Sequence, residues 1–175
     1  RLAGWGPLVL LGLLWLVRHM PMRRTALAVV VPFAVVLPFV AEDLAGLDPA
    51  PVDDVTIPKV TYCDPEIASV GLSADAAKGA GRDVETVTYP LGGNGRSIIR
   101  GTTGSVTLVR EKDGPVLGVH MIGLGVSELI SEAQLAVGWE AHPEDLAPLI
   151  HAHPTQSEAV GEAFLALAGK PLHTI

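Results

Sequence analysis

Charge is spread along this chain so unevenly that two different kinds of structure are required of it. Leu2 to Val17 carries no charged side chain, and Thr25 to Ala41 carries none. Arg18, His19, Arg23 and Arg24 stand between the two runs. Nearly all of the excess behind the mean hydropathy of +0.40 lies before residue 42. Hydropathy therefore makes residues 1–41 an apolar segment and a candidate transmembrane helical hairpin. Each arm is at or below the usual spanning length of ~17–25 residues, and Pro32 and Pro38 interrupt the second. The basic cluster follows the first run rather than preceding it, which does not suit a signal peptide. The positive-inside rule would put this cluster in the cytoplasm and everything after residue 41 outside. Three readings stay open: a membrane hairpin, a frame-shifted leader, and a soluble apolar extension.

Residues 42–57 change character. Asp43, Asp48, Asp53 and Asp54, with Pro49 and Pro51, read as an acidic, proline-rich linker. From residue 58 to 175 short periodic segments alternate with turn signals. Lys59 to Cys63 and Ile67 to Gly71 read as strands around an Asp64-Pro65 break, and Val84 to Tyr89 as a third. Val106 to Arg110 and Val116 to Ile122 flank Asp113-Gly114, a hairpin signal. Ser73 can cap a helix through Lys78 that Gly79 and Gly81 stop. Leu129, Ile130, Ala133 and Val137 recur at helical spacing, predicting a helix over 127–137. Pro143 to Ile150 and Ala159 to Ala168 read as further helices. Strands first and helices mostly later predict an α+β domain, an antiparallel sheet covered by helices. The helix over 127–137 and the run Phe164-Leu165-Ala166-Leu167 are expected to present an apolar face to a partner.

The net charge is −7, and no basic patch interleaved with aromatics occurs, so nucleic acid is not an expected partner. Cys63 is the only cysteine. It permits no internal disulfide and no cysteine metal site, and fits a reducing compartment. It reads as a strand thiol. Gly123-Leu124-Gly125 lacks the third glycine and the βαβ setting of a dinucleotide fingerprint. Gly92 to Gly95 reads as a turn rather than a phosphate loop. His120 reads as a core or interface side chain, and His142 before Pro143 as a helix entry. His151 and His153 are expected to point apart, so no metal is expected there.

The stretch with most chemical content is His151-Ala-His153-Pro154-Thr155-Gln156-Ser157-Glu158. Proline suits the first turn of a helix, and the Ser/Thr-rich step suits its N-terminus. An imidazole held before a helix, with a carboxylate five residues on, makes a base with an orienting group. The carboxylate can bond one ring nitrogen, fix the tautomer and raise the basicity of the other. The alternative is a capping His and a solvated surface Glu.

This octet resembles the pyridine nucleotide–disulfide oxidoreductases, most closely their dihydrolipoamide dehydrogenase branch. The resemblance runs from about Ala41 to Ile175. It is carried also by Ile57-Pro58-Lys59-Val60-Thr61-Tyr62, Pro65 to Gly71, Asn94-Gly95-Arg96, Gly118-Val119-His120, Ser127-Glu128-Leu129-Ile130 and Gly169-Lys170-Pro171-Leu172-His173. Nothing from Arg1 to Phe39 resembles the family. The resemblance implies that residues 58–175 are the C-terminal dimerisation domain of a larger flavoenzyme. It implies His153 as the general base toward a dihydrolipoyl thiol and Glu158 as the residue that orients it. In the family the redox disulfide beside the flavin belongs to the opposite subunit. FAD and NAD serve the parent family. With no Cys-x4-Cys pair and no complete Gly-x-Gly-x-x-Gly in the sequence, neither is expected on this chain alone, nor is activity. Implied partners are a second copy or a flavin-domain subunit, and the lipoyl-bearing acyltransferase of a 2-oxoacid dehydrogenase complex. The implied location is the cytoplasm, with the membrane as alternative through residues 2–41. A non-catalytic, membrane-tethered interaction module and a gene fragment are the competing readings.

Overall fold

The computed structural model describes residues 37–49 and 51–173. The chain divides into two compact units, residues 1–52 and 53–175. In the first unit the described part is helical over 37–44, so the acidic Glu42 and Asp43 belong to a helix rather than to a linker. The hairpin expected over 2–41 lies, up to residue 36, outside the described residues. Among the described residues no helix is long and apolar enough to cross a membrane.

The second unit is the α+β domain predicted from the strand and helix pattern. Five strands, β1 (Lys59–Thr61), β2 (Glu66–Gly71), β3 (Val84–Pro90), β4 (Gly104–Glu111) and β5 (Val116–Gly123), make one sheet in the order β1-β2-β5-β4-β3. Every neighbouring pair is antiparallel. The β4–β5 hairpin turns through Asp113, whose φ of 56° is the left-handed value that Asp tolerates. Five helices accompany the sheet: α1 (Ala74–Gly79), α2 (Gly95–Arg100), α3 (Ile130–Gly138), α4 (Pro143–Leu146) and α5 (Glu158–Leu167).

The core lies between one face of the sheet and helices α3 and α5. Alternate strand residues Ala68, Val70, Val106, Leu108, Val119 and Met121 meet Ile130, Ala133, Val160, Ala163 and Phe164, all buried. A β-bulge adds Leu117 to β5, between the Val109–Gly118 and Arg110–Val116 pairs. The extra residue changes face, and Leu117 joins Ala77 and Val109 in a small second cluster beneath α1. The rest of that second face is open. Ile67, Ser69, Ser105, Thr107, His120 and Ile122 line a shallow depression there.

Three helices depart from the sequence pattern. The segment expected over 127–137 starts as a 3-10 turn, Val126–Glu128, and becomes α-helical only at Ile130. The helix expected over 143–150 ends at Leu146. The glycine-rich stretch taken as a turn is a 3-10 turn, Leu91–Gly93, followed by α2. The apolar face expected from 127–137 and 164–167 is mostly spent on the domain's own core: Phe164, Leu167, Ile130 and Val137 are all buried.

Candidate active site

The site forms where the irregular segment 151–157 enters α5. The His153–Pro154 peptide is cis. Because α5 begins at Glu158 itself, Pro154 lies in the entering loop rather than in the first helical turn. A carboxylate there faces the positive end of the helix. His153 Nδ1 lies 2.9 Å from Glu158 Oε1. The other oxygen, Oε2, accepts the Thr155 backbone N–H at 2.7 Å. The carboxylate thus closes a ring over the entering loop. With Nδ1–H donating to Glu158, the tautomer leaves Nε2 as the free acceptor. The His153 side chain is 77% exposed and Glu158 is 26% exposed, so that nitrogen faces outward while its support is largely covered. The Thr155 N–H foremost, then His153, holds the Glu158 carboxyl below its ordinary value.

Four long-range contacts fix the segment that carries His153. Asn94 Nδ2 donates to the Thr155 carbonyl at 3.0 Å, while its Oδ1 accepts the Ser97 N–H at 2.9 Å and so caps α2. Gln156 Nε2 donates to the Leu124 carbonyl at 2.7 Å, and its Oε1 accepts from Arg100. His151 Nε2 lies 2.7 Å from Glu132 Oε1 on α3. His151 and His153 do point to different partners. Residues two apart on a strand would share a face; it is the irregular backbone of the segment that separates them. Below the site, burial foremost, then the negative Glu162 and Glu158, pushes the Tyr89 hydroxyl up.

Sequence reasoning picked out His153 and Glu158, and the fold brings them together. It missed Asn94, Arg100, Glu132 and the contacts of Gln156. A signal existed for Asn94, since Asn before a short apolar-periodic run is an N-cap residue. The other expected assignments are simple to place. His142 precedes α4, its N–H donating to Asp145 at 3.1 Å. His120 stands on the open sheet face with Nε2 3.1 Å from the Leu72 carbonyl. Cys63, expected within a strand, lies beyond the end of β1 at Thr61, where it is exposed and donates to the Pro65 carbonyl.

Residues 57–164 match the family model described as the pyridine nucleotide-disulphide oxidoreductase, dimerisation domain. The chain belongs to this family. Its match to dihydrolipoyl dehydrogenase of Bacillus subtilis is 46% identical over 134 residues, 75% of this chain and 28% of the relative. The enzyme of the same name from Geobacillus stearothermophilus is 42% identical, over 77% of this chain and 29% of the relative. Among solved structures, LpdA from Mycobacterium tuberculosis superposes with a TM-score of 0.67 at 25% identity, covering 72% of this chain and 28% of that one. The HOCl-induced flavoprotein disulfide reductase RclA from Escherichia coli shares the fold, with a TM-score of 0.64 at 22% identity over 71% of this chain and 29% of that one. This dimerisation domain thus spans a little over a quarter of the relatives it matches.

The family implies FAD and NAD, but the described residues do not fit a dinucleotide. The sheet is antiparallel throughout, so no βαβ crossover offers a pyrophosphate site. The N–H groups that would cradle phosphate at the starts of α1 and α2 are taken by Ser73 and Asn94. Gly125 is backed by the Gln156 side chain, 3.0 Å from where a Cβ would sit.

Proposed function

We propose that this domain is the dimer-forming and proton-accepting part of a dihydrolipoyl dehydrogenase. The single observation that carries the proposal is the His153–Glu158 bond, with Nδ1 engaged and Nε2 free toward solvent. His153 is then the general base, and Glu158 its orienting carboxylate. A thiol has an ordinary pKa of about 8.5, and only the thiolate attacks a disulfide. Nε2 accepts the thiol proton of a dihydrolipoyl group; Glu158 keeps Nδ1 protonated and the ring in plane while the imidazolium forms. The redox disulfide, FAD and NAD of this reading belong to a flavin-bearing subunit, and the dihydrolipoyl group arrives on the acyltransferase of a 2-oxoacid dehydrogenase complex. Dimer formation suits the surface around the dyad. Ile98 and Ile99 on α2, and Leu149 and Ile150 before the octet, are exposed. The cytoplasm fits best, since the only cysteine is an exposed free thiol.

The test is a hybrid in which residues 57–175 replace the matching part of the Bacillus subtilis relative. His153→Gln in that hybrid should lower dihydrolipoyl oxidation by roughly 10²–10⁴-fold. Dye reduction by NADH, in which no thiol gives up a proton, should persist. Turnover near that of the parent hybrid would reject the assignment.

A further inference from the structure

We infer that His151 is a positioning residue for His153, a strut wedged between α3 and α5 that sets the direction of the second ring. The inference rests on the proposed role of His153 and extends it to a residue with no role in the proton transfer itself. Among the described residues His153 makes a single side-chain hydrogen bond, to Glu158; its side chain is 77% exposed, with Cε1 beside Gly95. Its orientation therefore depends on the backbone that carries it, and that backbone is neither helix nor strand. His151, two residues upstream, is the opposite case. Its side chain is only 14% exposed.

Two contacts seat it. Nε2 reaches Glu132 Oε1 on α3 at 2.7 Å, so this nitrogen donates its hydrogen to the carboxylate. The far edge of the ring rests on the backbone of α5 at Gly161. A Cβ there would fall 2.6 Å from His151 Nδ1 and 2.8 Å from Cε1. Any side chain at 161 would push the imidazole out of its seat, so the absence of one is part of the construction. Gly161 costs helix propensity in the middle of α5, and the ring is what occupies the space gained. His151 also lines, with Leu149, Glu158, Gly161, Glu162 and Leu165, a cavity of about 130 Å³. The strut thus shares a wall with the carboxylate that holds His153. Glu132 is 32% exposed, so the anchor is half-covered and the ring is braced at both ends.

The consequence is a specific dependence. The Nδ1–H···Glu158 bond of His153 should persist only while His151 is seated. The test uses the full chain and nitrogen NMR of its histidine rings at a pH where imidazole is neutral, which reports the tautomer of His153 without any turnover. In the unaltered protein His153 should be chiefly the Nδ1–H form. His151→Phe keeps a flat ring but loses the Glu132 bond. It should lower the ratio of Nδ1–H to Nε2–H forms at His153 by roughly three- to tenfold, the range for one lost hydrogen bond. His151→Gln, which can still donate to Glu132, should restore most of the ratio. Gly161→Ala provides an independent route, because alanine favours the helix while displacing the ring; it should shift the ratio in the same direction. A His153 ratio unchanged in either folded variant would overturn the inference, even if the melting temperature fell, because a purely structural role would move stability alone. Failure of the hybrid turnover test would leave this readout intact, so the two ideas can fail separately.

Discussion

Glu158 does two jobs with two oxygens, and its titration exposes both. Its carboxyl is held below the ordinary value of 4.5, chiefly by the Thr155 N–H. Glu66, which accepts the Ser127 N–H at 3.1 Å, and Glu144, held first by its own backbone N–H and then by Arg110 at 3.0 Å, are lowered too. A carboxyl depressed in the folded state stabilises the fold above its unfolded value, and that contribution is lost as pH falls through the folded value. Urea midpoints should therefore hold near neutrality and decline on acidification below 4.5. Glu66→Gln should flatten that decline, and a slope unchanged by it would contradict the assignment. At Gly118 the constraint is steric. A Cβ there would overlap the Leu72 backbone carbonyl, so Gly118→Ala should cost roughly 2–4 kcal/mol in denaturant unfolding. The dyad was legible in the sequence because its members are five residues apart. Asn94 and Thr155, 61 apart, and Arg100 and Gln156, 56 apart, meet only through the fold, and no local pattern encodes such a meeting.

At the scale of elements, the strands were legible because core residues recur at every second position, as in Ala68 and Val70, Val106 and Leu108, and Val119 and Met121, a period that the bulge in β5 interrupts. Helix α2 was not. Its six residues begin with glycine, and its start is set by Asn94, whose amide must serve two masters. That double engagement gives a prediction. Asn94→Ala should lose about 1 kcal/mol for the cap and about 1 kcal/mol more for the undonated Thr155 carbonyl. Asn94→Asp should keep the first and lose the second. An Asn94→Asp variant as stable as the parent in urea unfolding would show that the link to Thr155 contributes nothing. The last turn expected over 147–150 and the first turn expected over 127–129 were misplaced for another reason. Helical spacing of apolar residues persists where the backbone has already left the helix, because Leu146, Leu149 and Ile150 keep the period while only Leu146 packs on the core.

For the whole molecule, the question is what meets the apolar residues the core leaves outside. Ile98, Ile99, Leu135, Trp139, Leu149, Ile150 and Leu172 are all exposed; of the face expected from 127–137 and 164–167, Leu135 is among them, while Phe164 and Leu167 are buried. Sedimentation at tens of micromolar should detect self-association of the chain, and Ile150→Asp should weaken it. A strictly monomeric species in both cases would show that these residues serve another purpose. The dyad itself asks nothing of that association. His153, Glu158 and Thr155 come from one contiguous loop and helix start, so their alignment is settled when the domain folds. In the function proposed above, assembly then supplies location alone, and the entropy of orienting the imidazole is already spent before the first encounter.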